Sequence, residues 1–350
     1  MMKKISLFLT AFIIAVGFSG CGRTPLREIL PSTLPPHQTD MKIARQRLDF
    51  LKKLLAQHET RGIGIFPASF KENIPADKVI NFIKAAGFNR IYCCITSETE
   101  LDAFLESFVI LAAKNKIPVE IVISQQDYFR SYRSNTMLRN LLVKYPSLVD
   151  AGRMTAKFND SLPETAKLAG ITVELTPHIY NGHNTDRNYR SLFRWDDKNY
   201  GPGMDNDMLM IDAVKQLKEI SEIKNIPPVT VAIRDFYHEQ AESGKLSTGK
   251  VADFAGISSR IAVINSANLP SQLPEKVKAE LKAAPKGTKI LTVIPLATHS
   301  TDDSTRLRRR NLNDFVRAVN NFNTAVKNVP ASGGVILSPL SVIYYMSLEK

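Results

Sequence analysis

Eight short apolar stretches, each able to form a strand, recur from residue 62 to the end of the chain: 62–66, 90–96, 118–124, 170–176, 229–234, 260–265, 289–296 and 334–338. Their starts lie 28, 28, 52, 59, 31, 29 and 45 residues apart. The short intervals suit one strand–helix unit, and the long ones leave room for an added loop. Helical patterns follow the first seven stretches, for example 76–86, 98–114, 207–224, 274–284 and 313–326, and a short piece, 341–348, follows the last. Eight strands alternating with helices predict an α/β fold, a (β/α)8 TIM barrel over residues 41–350. An open doubly wound sheet is the alternative, but no phosphate-binding glycine fingerprint follows any strand. Ahead of the first strand, Thr39 or Asp40 caps a helix over 41–58, whose Ile43, Ala44, Leu48, Leu51, Leu54 and Leu55 form one apolar stripe.

The N-terminus supplies an address. Lys3 and Lys4 precede an apolar run over 7–18, too short to span a bilayer comfortably, and Ser19-Gly20 lead into Cys21. This resembles the lipobox of bacterial lipoproteins, with Phe18 a mild departure. The resemblance implies a signal peptide over 1–20 and lipidation at Cys21. Residues 22–40, with four prolines, follow as a tether. Gly22, in place of aspartate, resembles lipoproteins sorted to an outer membrane. The expected location is the cell envelope, membrane-anchored by lipid, on the periplasmic or surface side.

The formal charge of +12 falls to +10 once residues 1–20 are removed. A basic balance suits nucleic acid, anionic lipid or an acidic glycan; export and the lack of a nucleic-acid motif argue against the first, and an acidic polysaccharide is the expected partner, with anionic lipid still open. No cofactor is implied, and six histidines without ligand spacing argue against a metal. Cys93 and Cys94, adjacent in one strand, face opposite sides, which is poor disulfide geometry; both are expected to be buried small hydrophobes.

Barrel sites gather at the C-terminal strand ends. In the fourth strand, Ile171, Val173 and Leu175 share the outer face. Thr172, Glu174, Thr176 and His178 share the inner face and the mouth. Glu174 is either a functional acid or half of an ion pair with Arg234, at the mouth end of strand five. The following loop holds Tyr180, Tyr189, Arg187, Arg190, Phe193, Arg194, Trp195 and Tyr200. Aromatic rings stack on sugars and arginines clamp anions, or the same residues simply cover the mouth. Asp127, Tyr128, Arg130, Tyr132 and Arg133 follow strand three in a similar texture, so two such loops on one rim suggest a cleft. Asp235, His238 and Glu239 are spaced for one helical turn after strand five, without matching HExxH. His299 follows strand seven, and Arg306–Arg310 form either a solvated basic surface or an anion clamp.

The motifs GITVELTPH (170–178), GVILSPLS (334–341) and RIYCCITSETEL (90–101) resemble exported bacterial glycoside-hydrolase-like TIM barrels, whose fourth strand reads like GIHLDVEPH and whose last reads like GIAIHHYES. The departures are systematic. Glu174 keeps the first acidic position, but the second is Thr176. Ala297 precedes Thr298 where that family shows an acid, Ser338 and Pro339 replace a histidine pair, and Asn265-Ser266-Ala267 lack an aromatic and an arginine. Hydrolysis ordinarily needs two carboxyl groups, about 5–5.5 Å apart for retention or about 6.5–9.5 Å for inversion. The resemblance therefore implies a degenerate, pseudoenzyme-like barrel acting as a carbohydrate-binding or scaffold protein. The first alternative is an active glycosidase with a rearranged pair, Glu174 with Asp235, Glu239 or Asp127. It would fail if Glu174 paired with Arg234 deep in the lumen. A purely structural envelope lipoprotein is the second.

Overall fold

The computed structural model describes residues 41–67, 70–71, 74–95, 98–124, 148–175, 206–265, 270–295, 312–338 and 343. Eight parallel strands close into one barrel in sequence order: β1 Thr60–Ile65, β2 Arg90–Ile95, β3 Val119–Ser124, β4 Gly170–Glu174, β5 Val229–Arg234, β6 Arg260–Ile264, β7 Ile290–Pro295 and β8 Ser332–Ser338. The (β/α)8 expectation holds, and the open sheet is excluded. The helices are α1 Met41–Leu55, α2 Ala76–Ala85, α3 Ala103–Lys114, α4 Leu148–Ser161, α5 Asn206–Ser221, α6 Tyr237–Glu242, α7 Val251–Ala255, α8 Lys278–Ala283 and α9 Leu312–Val326.

Boundaries differ from expectation where a local interaction intervenes. The continuous helix expected over 98–114 is a short turn followed by α3, because the Asp102 side chain accepts a hydrogen bond from Leu105 N–H at 3.0 Å and starts the helix there. The helix expected to reach 58 stops at Leu55. His58 instead donates Nε2–H to Asn323 Oδ1 at 2.7 Å, while Asn323 Nδ2 donates to Leu54 O at 3.0 Å. This buried pair ties the entry helix to α9. Burial holds the His58 imidazole below its usual pKa, which favours the neutral ring.

Alternation sorts each strand into two faces. Ile63, Ile91, Ile121, Ile171, Val231, Ile261 and Val335 point outward into the layer beneath the helices, all fully buried. Tyr92, Val122, Ala232, Ala262, Ile264, Leu291 and Ile336 form a separate cluster that fills the lumen. β1 leaves space for it. A Cβ on Gly62 would meet the Tyr92 ring at 2.5 Å, so only glycine lets that ring cross the lumen. The seam between β8 and β1 has a similar constraint. Gly334 has φ +141° beside a register shift between β7 and β8, and a Cβ there would collide with the backbone of Thr60.

The lumen floor is polar. Glu120 is fully buried. Its Oε1 accepts from Arg90 Nη1 and from Arg260 Nη2, both at 2.6 Å, and its Oε2 accepts from Thr172 Oγ1 at 2.8 Å and Thr230 Oγ1 at 3.3 Å. One carboxylate thus joins β2 to β6. Glu280 on α8 is the contrast. It is also fully buried, yet among the described residues no other residue hydrogen-bonds to either carboxylate oxygen. Burial, with the charges of Asp235 and Glu239 added, pushes its carboxyl up to about 8.

Three stability outcomes follow. Glu120→Ala, which strands two arginines, should lower the unfolding free energy by about 3–5 kcal/mol in denaturant titrations; the triple change Arg90→Met, Glu120→Leu, Arg260→Met should recover most of it. Gly334→Ala should lower it by at least about 1 kcal/mol, because the seam must open. The folded Glu280 holds its proton more tightly than the unfolded one. Its contribution is therefore fully present below pH 4.5 and is lost as pH rises toward about 8. Glu280→Met should flatten that decline in thermal melts recorded across the interval.

Candidate functional site

The mouth is built by the last inward-facing residue of each strand. Glu174 ends β4, Arg234 ends β5, and the register sets Glu174 beside Ala232 and Arg234 beside Ile264. Alternation turns both side chains toward the lumen. Glu174 Oε1 lies 3.6 Å from Arg234 Nη2, with side chains 22% and 21% exposed. The pair therefore stands at the opening, not deep in the lumen, and its separation exceeds the roughly 2.7–2.9 Å of a close charge-assisted bond. Arg234 Nε is buried and has no hydrogen-bond partner among the described residues.

Cys94, on β2, is the neighbouring thiol. It is half-buried, not fully buried as expected, because it faces the lumen near its mouth, whereas Cys93 faces the packed outer layer. The two thiols are free. Burial, then the charges of Glu174 and Glu100, raise the Cys94 thiol well above its usual pKa. It stays protonated and is a poor nucleophile. Its surroundings identify a carboxylate that the sequence reading passed over. Glu100 sits in the short turn Glu98–Glu100 after β2, close enough for its charge to reach Cys94 together with that of Glu174. The strand-end rule, applied there to strands three, four, five and seven, would have pointed to it after strand two.

Asp235 goes elsewhere. It precedes α6 instead of sharing a helical turn with His238 and Glu239. It is 6% exposed, its N–H donates to Ile264 O at 3.3 Å, and its charge acts on Glu280. Glu174 and Asp235 thus belong to different electrostatic groups, the first with Arg234 and the second with Glu280. Asn265 holds backbone: its N–H donates to Val293 O at 2.9 Å and its Nδ2 to Leu273 O at 2.8 Å. Ser338, where the family resemblance expects a histidine, packs across the Gly64 position of β1, which a Cβ could not share. Among the described residues, no three His, Cys, Asp or Glu side chains group as metal ligands. Cys21, Asp127, Tyr128, Arg130, Thr176, His178, Tyr180, Arg190, Arg194, Trp195 and His299 lie outside the described residues.

No family model matches the chain, and no curated protein matches it by sequence. Among solved structures, the barrel is similar to that of a thermostable mutant of a xylanase from Cellvibrio japonicus, with a TM-score of 0.51 at 12% identity over 81% of this chain and 87% of that one. A GH18 chitinase from Pseudoalteromonas aurantia matches with a TM-score of 0.46 at 12% identity, covering 83% of this chain and 97% of that one. At such identities the likeness is one of fold alone, the (β/α)8 barrel.

Proposed function

We propose that the protein is an envelope lipoprotein, anchored by lipid at Cys21, whose barrel binds a glycan without hydrolysing it. The carrying observation is the mouth pair. Where a hydrolase needs two carboxyl groups flanking one bond, Glu174 faces the Arg234 guanidinium at 3.6 Å, and Asp235 is buried beside Glu280. A half-exposed donor–acceptor pair suits binding of hydroxyl groups. Because a barrel hosts many unrelated chemistries, the site and not the fold supports the ligand class. The positive balance of the chain favours an acidic polysaccharide as the polymer.

A second reading, residual hydrolysis, draws on one observation: the charges of Glu174 and Glu100 meet at Cys94. In that case both acids would flank the scissile bond, and removing either would end turnover.

Two measurements test these readings. The full chain in detergent micelles should bind members of a polysaccharide panel saturably and release no reducing ends. Reducing-end release abolished by Glu174→Gln and by Glu100→Gln would install the hydrolase instead, and no binding across the panel would remove the glycan reading. For the anchor, Cys21→Ser should move the protein from the membrane fraction to the soluble fraction and abolish fatty-acid labelling; unchanged fractionation and labelling would sink it.

A further inference from the structure

At the floor end of the barrel, opposite the mouth, each strand is entered from a helix, and all eight of those connections lie among the described residues. Contacts join several of them around α1. Lys289 Nζ, just before β7, donates to Pro330 O, just before β8, at 2.9 Å. Asn323, near the end of α9, holds Leu54 and His58 at the end of α1. Lys52 lies against Gly87, between α2 and β2, where a Cβ would meet its side chain at 2.7 Å. Lys84 Nζ, in the last turn of α2, donates to Asn115 Oδ1, directly after α3, at 3.0 Å. One continuous strip therefore crosses the floor end from β7 through α1 to α3. Lys52, Lys53, Lys84, Lys114, Lys116 and Lys327 are exposed along it, against one exposed acid, Glu59. Among the described residues none of these six lysines stands in an ion pair, whereas Lys71, Lys250 and Lys278 elsewhere each do.

The strip also carries an exposed ring. Phe50 on α1 is 48% exposed, and Lys53, three residues on, shares its side of the helix. Met208 and Ile211 on α5 are exposed as well, but α5 has two basic residues against three acidic ones, while α1 has five against one. Only α1 combines exposed apolar surface with positive charge. Lysine is a compact point charge that needs no fixed acceptor geometry, whereas the arginine fork serves discrete phosphates and nucleic acid. Clustered lysines with an aromatic side chain among them suit the headgroup boundary of an anionic bilayer. Such a surface is also near. Nineteen residues separate Cys21 from Met41, where α1 begins, a length that spans at most about 65 Å fully extended.

We infer that the floor end of the barrel, through Phe50 and the lysine strip, docks on an anionic lipid bilayer and leaves the mouth turned away from it. The nearness of the bilayer rests on the lipid anchor proposed above; the charge and the exposed ring do not.

The test is acetylation of lysines, followed by mass spectrometry, on the full chain reconstituted into vesicles of phosphatidylcholine alone or of an equal mixture with phosphatidylglycerol. The six strip lysines should react at least about fivefold more slowly on the mixed vesicles, and Lys215 and Lys218 on α5 equally on both. About 0.5 M salt should remove the protection. Combined Lys52→Glu, Lys53→Glu and Lys84→Glu should abolish it at Lys114, Lys116 and Lys327, while Lys215→Glu with Lys218→Glu should leave it intact. Phe50→Ser should weaken it by about threefold. Melting curves confirm that each variant folds, and the salt series reads the unaltered chain. Equal reactivity on the two vesicles, or protection that reaches α5 to the same extent, would overturn the inference. So would equally strong protection on neutral vesicles by added polygalacturonate or single-stranded DNA at matched charge, which would make the strip a general polyanion site. Fatty-acid labelling reports on the anchor separately: protection without labelling keeps the docking face and removes the anchor, and labelling without protection does the reverse.

Discussion

Two arginines from strands on different sides of the wheel donate to the same oxygen of one buried carboxylate. Arg90 on β2 and Arg260 on β6 meet at Glu120 Oε1, while Thr172 and Thr230 take Oε2, so five of the eight strands are referred to a single group at the lumen floor. Such a cluster adds little net stability over an apolar plug, because desolvating the charges offsets most of their attraction. What it does is make wrong registers costly. A one-residue slip of β2 or β6 would turn an arginine into the apolar layer and leave Glu120 short of its partners.

Everything above the floor inherits that register. With Thr172 and Thr230 held inward, alternation along two adjacent parallel strands brings Glu174 and Arg234 inward two positions higher in β4 and four higher in β5. The apolar lumen cluster stands between floor and mouth and separates the two ion pairs. In the lower one the carboxylate is fully buried and both contacts are short. In the upper one both side chains are partly exposed and the contact is long, at 3.6 Å.

Glu280 and Asp235 make a related distinction on the outside of the barrel. A carboxylate next to a strand end is a reasonable acid candidate from sequence, and Asp235 stands directly after Arg234. Its burial and its coupling to Glu280 direct it to the layer under α6 and α8, where its charge helps keep Glu280 protonated. On β2, Cys93 faces the outer apolar layer, while Cys94, one residue on, looks into the lumen. One step along a strand changes a side chain's whole environment, so neighbours in sequence serve unrelated roles.

Strand identity and face were legible in the chain because a period of two over five or six residues, repeated eight times with helices between, leaves few other ways to bury so many β-branched residues. That sufficed for the barrel, for the outward Ile171 and Val173, for the inward Thr172 and Glu174, and for a Glu174–Arg234 pairing as one of two outcomes. It did not reach Glu120, a lone acid in an apolar strand whose partners lie 30 and 140 residues away, nor Glu100, nor the separation of Asp235 from the mouth. Periodicity is a local property and is written in the order of residues. Which charges meet across a closed lumen, and how far apart they stop, depends on strands far apart in the chain being packed to within a few ångströms, and only the folded barrel sets that distance.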